Sequence, residues 1–199
     1  MDIIGIFPTP VAITELPRNL TEEELNFMKV QPVRDNEGNF TSVNNYILNT
    51  PQLADLKYLI WHQVQTFFHA VYKPKNLNQI RITQSWLNFN PHEKYHHLHS
   101  HPNSLLSGVF YPVGSETDGH IVFHKSIYQQ LIFDANEFND FNSSTYHVPA
   151  ITNRLIIFPS SLVHEVKPFN SSYARVSLAF NTFVTGILGS GWELSELIL

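Results

Sequence analysis

Cysteine is absent from this 199-residue chain, which excludes disulfides, thiolate-based zinc sites, iron–sulfur clusters and cysteine nucleophiles. Charge is scarce as well, because 15% of the residues are charged, against about 25% in an average protein. The 12 Lys and Arg residues and the 17 Asp and Glu residues leave a net charge of −5. The chain therefore lacks the net positive charge that is typical of proteins that bind duplex nucleic acid.

Long apolar runs are also missing. No stretch of about 18 apolar residues is present, so we expect no membrane-spanning helix and no membrane partner. The opening MDIIGIFPTP has no basic segment ahead of an apolar one, which argues against a signal peptide and favours a cytoplasmic protein. Hydrophobic and aromatic residues, at 43% and 13%, are enough to fill the core of a single domain over 1–199.

Two helices are predicted in an N-terminal helical region over 1–78. A Thr-Glu-Glu-Glu capping box at 21–24 indicates a short helix over about 21–29. A Thr-Pro pair at 50–51 is a second start signal. Apolar residues then recur every three or four positions, which predicts an amphipathic helix over about 51–72.

From residue 79 the segments become short and rich in β-branched or aromatic residues, and Gly, Pro, Asn and Asp separate them, as is typical of strands. The pattern indicates an α+β, mainly β fold, in which a core over 79–185 forms a sandwich or jelly roll and the helices pack against one sheet. We expect the apolar tail over 186–199 to cover a sheet or a partner subunit, which leaves a homodimer open. The predicted strands are 79–89, 105–112, 119–124, 154–158, 162–167 and 173–184, with weaker ones near 130–133 and 145–148.

Histidine is the compositional anomaly of the chain: there are 11, and five of them fall between residues 92 and 101. In the run His97-Leu98-His99-Ser100-His101-Pro102, alternation along an extended segment places the three histidines on one face. Pro102 cannot donate a ladder hydrogen bond, so the run is expected at a strand end. The two hypotheses are a metal site and a solvated, histidine-rich loop with weak metal affinity.

A second group of polar residues lies near the end of the predicted core. Arg175, Ser177, Ala179 and Asn181 share one face of the strand predicted over 173–184. An Arg beside a Ser on such a face offers a fork of donors and a hydroxyl to a bound carboxylate. The alternative is a structural Arg that pairs with an acidic residue at a barrel rim.

His164 follows His99 by 65 residues, and the Arg175-Val-Ser segment begins 11 residues later. Taken in order, these residues resemble the Fe(II)/2-oxoglutarate-dependent oxygenase superfamily. The block HSHPNSLLSGVFY at 99–111 and the opening IFPTPV at 6–11 narrow the resemblance to small prolyl-hydroxylase-related oxygenases of bacteria and their phages. That group implies a cytoplasmic enzyme of a bacterial or phage-infected cell.

The resemblance implies a fold, two cofactors and a reaction. The fold is a double-stranded β-helix, that is, a jelly roll flanked by N-terminal helices. His99 and His164 would bind Fe(II), and Arg175 with Ser177 would hold the distal carboxylate of 2-oxoglutarate. The reaction would be hydroxylation of an amino-acid, peptide or small-molecule substrate, with release of succinate and CO2. By the same resemblance, Asn88 and Tyr111 would contact the cosubstrate, and Asn103 and Ser107 the substrate. From the strand pattern we expect His120 to line the barrel, and His120 and Asn181 are further candidates for substrate contacts.

One position departs from the family pattern. Where the superfamily has Asp or Glu two residues after the first His, completing a two-His-one-carboxylate triad, this chain has His101. Three interpretations follow. His101 is a third metal ligand, or it lies next to the ligands without binding the metal, which leaves two His ligands as in aspartyl/asparaginyl β-hydroxylases. Alternatively, His97 and His99 are the pair of residues that the family motif places two positions apart. We favour His99, His101 and His164 as the metal ligands.

Two other functions are compatible with a histidine-rich β protein. One is a three-His cupin dioxygenase that needs no 2-oxoglutarate; Arg175 and Ser177 argue against it, because such enzymes bind no distal carboxylate. The other is a non-catalytic metal-binding β-sandwich, such as a phage structural module, with structural Zn or Ni. A nucleic-acid demethylase is disfavoured, because the basic residues cluster locally only at Lys73, Lys75 and Arg81.

Overall fold

The computed structural model describes residues 1–117, 119–125, 131, 134–168 and 174–199. It contains two α-helices, α1 (Glu22–Lys29) and α2 (Ala54–Tyr72). A 3-10 turn over Pro51–Leu53 leads into α2. The strands are β1 (Ala12–Glu15), β2 (Val33–Asn36), β3 (Asn39–Ser42), β4 (Gln79–Asn90), β5 (His96–His99), β6 (Leu106–Phe110), β7 (His120–His124), β8 (Thr145–Pro149), β9 (Arg154–Pro159), β10 (His164–Val166), β11 (Arg175–Thr185), β12 (Ile187–Leu188) and β13 (Leu197–Ile198).

Eight of these strands form the predicted jelly roll. The larger sheet has the order β1-β9-β6-β11-β4-β3-β2, and the smaller sheet has the order β5-β10-β7-β8. Each sheet thus supplies four strands to the double-stranded β-helix, and β1 and the β2–β3 hairpin extend the larger sheet at its two edges. Strand β11 lies between β4 and β6, and its pairing with β4 runs from Arg175 opposite Asn90 to Thr185 opposite Gln79.

The helices cover the outer face of the larger sheet. Thr21 caps α1, because its hydroxyl accepts from the Glu24 amide at 3.2 Å while the Glu24 carboxylate accepts from the Thr21 amide at 2.8 Å. The apolar face of α2 packs on alternate residues of the sheet strands, as the spacing predicts. This core is formed mainly by Leu56, Ile60, Val64, Leu87, Phe110, Leu178 and Phe180. No helix in the described part of the chain is both long and apolar enough to cross a membrane.

A second apolar cluster fills part of the space between the two sheets. Its members come from β6 and β9 on one side and from β7 and β8 on the other: Val109, Tyr111, Ile121, Phe123, Val148, Ala150, Ile156 and Phe158. Side chains on the same inner face of the larger sheet, farther along β4 and β11, are polar and buried. The barrel is therefore apolar in one part and lined with polar groups in another.

Most of the predicted strands are confirmed within a few residues, including the weaker one at 145–148. The segment 130–133 lies outside the described residues except for residue 131, which is not in a strand. The β2–β3 hairpin, β1, β5 and the β12–β13 pair were not in the predicted set. Trp192 and Leu194 of the tail are 98% and 95% exposed, so neither residue covers a sheet.

Gly108, on strand β6, is expected to be sensitive to substitution. A Cβ at this buried position would overlap the Phe180 ring and lie 2.9 Å from the Ile156 carbonyl oxygen. Overpacking a filled core costs about 1–3 kcal/mol, so Gly108→Ala should lower Tm by several degrees. Gly5→Ala is the control, because nothing lies within 4 Å of its Cβ. Equal melting temperatures for the two variants would contradict this packing argument.

Candidate active site

Strands β5 and β10 place two of the predicted ligands side by side. They pair antiparallel with His164 opposite His99. His101 follows the end of β5, where its amide donates to the Ser160 carbonyl at 2.9 Å. One nitrogen from each of His99, His101 and His164 lies within 4.8 Å of the other two. We call these three residues the inner cluster.

Backbone carbonyls fix the rings of two members of the inner cluster. The Nδ1 of His99 lies 2.7 Å from the His97 carbonyl, and the Nδ1 of His164 lies 2.9 Å from the Leu162 carbonyl. A carbonyl only accepts, so each Nδ1 holds the proton and each Nε2 presents its lone pair. The Nε2 atoms of His101 and His164 are 3.3 Å apart. This is the arrangement in which neighbouring carbonyls orient imidazoles toward a shared cation.

The inner cluster is electrically neutral at physiological pH. Burial, together with the neighbouring imidazole of His99, lowers the pKa of His164 to about 3. The same two causes lower the pKa of His101 to about 4. Burial also lowers the pKa of His99, although its bond to the His97 carbonyl acts in the opposite direction. Neutral imidazoles are ligands without a proton to displace, so the cluster is suited to a transition-metal cation.

A buried polar group lies on the inner face of the larger sheet. Arg175 is opposite Asn90, and Ser177 is opposite Asn88; the four residues are 1%, 1%, 5% and 4% exposed, respectively. The Arg175 guanidinium lies 5.7 Å from the centroid of the Tyr111 ring. Burial raises the pKa of Tyr111, while the positive charge of Arg175 acts in the opposite direction. The predicted cosubstrate residues Arg175, Ser177, Asn88 and Tyr111 are thus close together in the barrel.

The amides of this group have unused hydrogen-bonding capacity. The Nδ2 of Asn90 and the Oδ1 of Asn88 are buried and have no hydrogen-bond partner among the described residues. An orphaned buried polar atom costs about 1–3 kcal/mol, so a bound polar ligand would relieve the cost. A carboxylate fits the donors of this group, namely the guanidinium, the hydroxyl and the Asn90 amide N–H, whereas the Asn88 oxygen needs a donor. Asn90 was not singled out in the sequence, although it lies two residues beyond Asn88 on the same face.

A cleft of about 440 Å³ opens on the inner cluster. Its walls are the β2–β3 hairpin, β4 and β5. The ring of Trp86 is 5.8 Å from that of His101, so an aromatic side chain lies beside the inner cluster. The lining residues are Arg34, Asp35, Asn36, Thr41, Asn45, Gln84, Trp86, His96, His97, His99 and His101. Sequence reasoning missed the hairpin residues, because a short polar segment around a turn contains no periodic signal.

The predicted substrate residues are more scattered. Ser107 donates to the Asn181 side-chain oxygen at 2.8 Å, and its hydroxyl also lies 2.8 Å from that of Ser160. Ser107 and Asn181 are therefore part of an internal hydrogen-bond network. Asn103 is exposed in a turn with φ of 55°. His120 does not line the barrel as expected: Ile121 and Phe123 point into it, and alternation turns His120 outward. Its ring contacts His147 instead.

One comparison with known proteins points to a family. Residues 84–181, from β4 into β11, match the profile of the family described as "Putative 2OG-Fe(II) oxygenase". No curated protein matches the chain in sequence. Solved structures match over most of the chain at low sequence identity, so their similarity shows the fold alone.

Three of these structures illustrate the match. An oxidoreductase of the 2OG-Fe(II) oxygenase family from Burkholderia pseudomallei superposes with a TM-score of 0.59 at 14% identity, covering 86% of this chain and 83% of its own. HygX from Streptomyces hygroscopicus, solved with nickel, 2-oxoglutarate and hygromycin B, superposes with a TM-score of 0.59 at 11% identity. The match covers 87% of this chain and 82% of HygX. A Pseudomonas putida prolyl-4-hydroxylase superposes with a TM-score of 0.57 at 11% identity, and the match covers 87% of this chain and 92% of the hydroxylase.

Proposed function

Because this chain belongs to the Fe(II)/2-oxoglutarate-dependent oxygenase superfamily, we propose that His99, His101 and His164 hold its iron and that Arg175, with its neighbours, holds 2-oxoglutarate. The chain is a 2-oxoglutarate-dependent Fe(II) oxygenase. Hydroxylation of an unactivated carbon, with release of succinate and CO2, is the reaction that we assign to it. The observation that supports the site assignment is that one barrel contains three convergent imidazoles and a buried guanidinium with polar neighbours.

The residues present fit both cofactors. Imidazole nitrogens are suitable ligands for Fe(II), and a set of three neutral ligands leaves the full charge of the cation to attract an anionic cosubstrate. Arg175 supplies a planar fork of donors to a carboxylate, with the Ser177 hydroxyl and the Asn90 amide beside it. When bound, iron and 2-oxoglutarate together supply the activation of O2. The chain binds, orients and shields the reactants from water.

The proposal predicts a visible absorbance band when the metal-free chain is titrated anaerobically with Fe(II) and 2-oxoglutarate. Chelation of iron by the keto acid produces metal-to-ligand charge transfer before any substrate is added. Zn(II) in place of Fe(II) is the control and should give no band. Stoichiometric iron binding without a band would contradict the assignment of 2-oxoglutarate and would favour a three-His dioxygenase or a structural metal.

The cleft supports a polar substrate. Its described lining contains one cation, Arg34, one carboxylate, Asp35, and the side-chain amides of Asn36, Asn45 and Gln84. The Arg34 guanidinium donates to Thr41 at 3.4 Å and to Asn45 at 3.1 Å, which holds the side chain while leaving several of its five N–H groups available. We infer that the substrate is a small molecule, amino acid or peptide with an anionic group for Arg34.

Loss of the Arg34 guanidinium is expected to weaken substrate binding. A hydrogen bond to a charged group contributes about 1.5–3 kcal/mol, so Arg34→Ala should raise the substrate KM about tenfold or more. Substrates are identified first by screening free and N-acetylated amino acids for stimulation of succinate formation. The KM for 2-oxoglutarate should stay constant, and Arg81→Ala, at an exposed arginine of β4 outside the cleft, should behave as wild type. An unchanged substrate KM in Arg34→Ala would exclude this role.

A further inference from the structure

A second group of histidines lies beside the inner cluster. Between β5 and β10 the register changes, because His99 lies opposite His164 but His96 lies opposite Val166. Three steps along β5 thus match two steps along β10, so β5 contains one extra residue. Such a bulge re-aims side chains. As a result, one nitrogen from each of His96, His97 and His99 lies within 4.8 Å of the other two. We call these residues the outer cluster.

The rings of the outer cluster are packed together. Ring centroids are 4.4 Å apart for His96 and His99, 4.8 Å for His97 and His99, and 5.2 Å for His96 and His97. The Nδ1 of His97 is buried and has no hydrogen-bond partner among the described residues. The Glu37 carboxylate, on the turn of the β2–β3 hairpin, lies 3.9 Å from that atom. A cation would find three imidazoles and a nearby negative charge here.

His99 belongs to both clusters but has only one nitrogen to give. Its Nδ1 lies 2.7 Å from the His97 carbonyl, so that nitrogen keeps its proton as the donor. The Nε2 is then the single ligand atom of His99 toward either cluster. An ion on the outer cluster therefore takes His99 away from the inner cluster, and an ion on the inner cluster does the reverse.

The outer cluster is also the more accessible of the two. His96, His97 and His99 all line the cleft, whereas His164 does not and is 5% exposed. An ion that arrives through the cleft meets the outer cluster before it can reach all three inner ligands.

We propose that His96, His97 and His99 form a second site for a divalent transition-metal ion, and that occupation of this site excludes occupation of the inner cluster. Three imidazoles suit Zn(II), and most such sites bind Zn(II) more tightly than Fe(II). Zinc on the outer cluster withdraws His99 and so opposes loading of iron on the inner cluster.

The test is equilibrium dialysis of the metal-free chain against Zn(II). Wild type should bind one zinc ion per chain, not two. His164→Ala, which removes an inner ligand, should still bind one ion through the outer cluster. Adding His96→Ala to His164→Ala should weaken zinc binding about tenfold or more. His92→Ala added to His164→Ala is the matched control, because the exposed His92 belongs to neither cluster, and it should leave zinc binding unchanged.

Three results would overturn the proposal: two zinc ions on wild type, no zinc on His164→Ala, or equal zinc affinity of His164→Ala with and without His96→Ala. If the double variant fails to fold by circular dichroism, His96→Gln replaces His96→Ala, because glutamine keeps the side chain long and polar. A separate measurement, the Fe(II)/2-oxoglutarate absorbance band, tests the proposed function. The Fe(II)/2-oxoglutarate band should persist in His96→Ala, and its absence from wild type would refute the cofactor assignment without affecting the zinc result in His164→Ala.

Discussion

Replacing His164 by alanine is expected to abolish the Fe(II)/2-oxoglutarate absorbance band and to lower turnover by about 100-fold or more. His164 is the most buried member of the inner cluster, at 5% exposure, and its Nδ1 is fixed by the Leu162 carbonyl at 2.9 Å. The inner cluster then keeps only two imidazoles. Absorbance spectra under anaerobic conditions and succinate formation in air measure the two effects.

His124→Ala is the control for this substitution. His124 lies on β7, next to β10, but faces outward and contacts the Glu165 carboxylate at 3.0 Å. The His124→Ala substitution removes a histidine of the same sheet but leaves the inner cluster unchanged. The Fe(II)/2-oxoglutarate absorbance band and the turnover rate should therefore be retained. A His164→Ala variant that melts at the same temperature as the metal-free wild type and still shows the band would remove His164 from the ligand set.

Arg175→Lys is expected to raise the KM for 2-oxoglutarate about 10- to 100-fold and to leave iron binding unchanged. Lysine keeps the positive charge but lacks the planar fork that engages both oxygens of a carboxylate. The loss of one charged hydrogen bond is worth about 1.5–3 kcal/mol, and 1.4 kcal/mol corresponds to about a factor of ten. Arg175→Met, which also removes the charge, should raise the KM further.

Arg154→Lys controls for the loss of any partly buried guanidinium. Arg154 lies on β9, where its Nη1 donates to the Pro149 carbonyl at 3.0 Å. Because it is not part of the buried group on β4 and β11, its substitution should leave the KM for 2-oxoglutarate unchanged. Equal KM values in wild type, Arg175→Lys and Arg175→Met would show that the cosubstrate carboxylate binds elsewhere.

Parts of the molecule that follow a regular period could be predicted from the sequence. The capping box and the apolar spacing located both helices, and alternation placed Arg175, Ser177 and Asn181 on one strand face. The proximity of His99 to His164 could not follow from a period, because the two are 65 residues apart. It came from the family resemblance, and the β5–β10 pairing shows its physical basis.

Other features leave no local trace in the sequence. The bulge in β5 depends on how that strand pairs with β10, so alternation alone grouped His97 with His99 and His101 and omitted His96. Strand β2 reads Val-Arg-Asp-Asn and has no apolar alternation, so this wall of the cleft was not in the predicted set of strands. Trp86 was not among the predicted site residues, whereas the structure places it beside His101 in the cleft.

The position of β11 in the larger sheet has a consequence for biosynthesis. This strand separates β4 from β6, so neither has its inner neighbour until residues 175–185 have been made. During translation, folding of the barrel must wait for its last core strand, because domains are completed only as their segments emerge. Until then β4 and β6 present unpaired edges that can pair with other chains. Slow, non-local strand pairing of this kind lengthens that exposure.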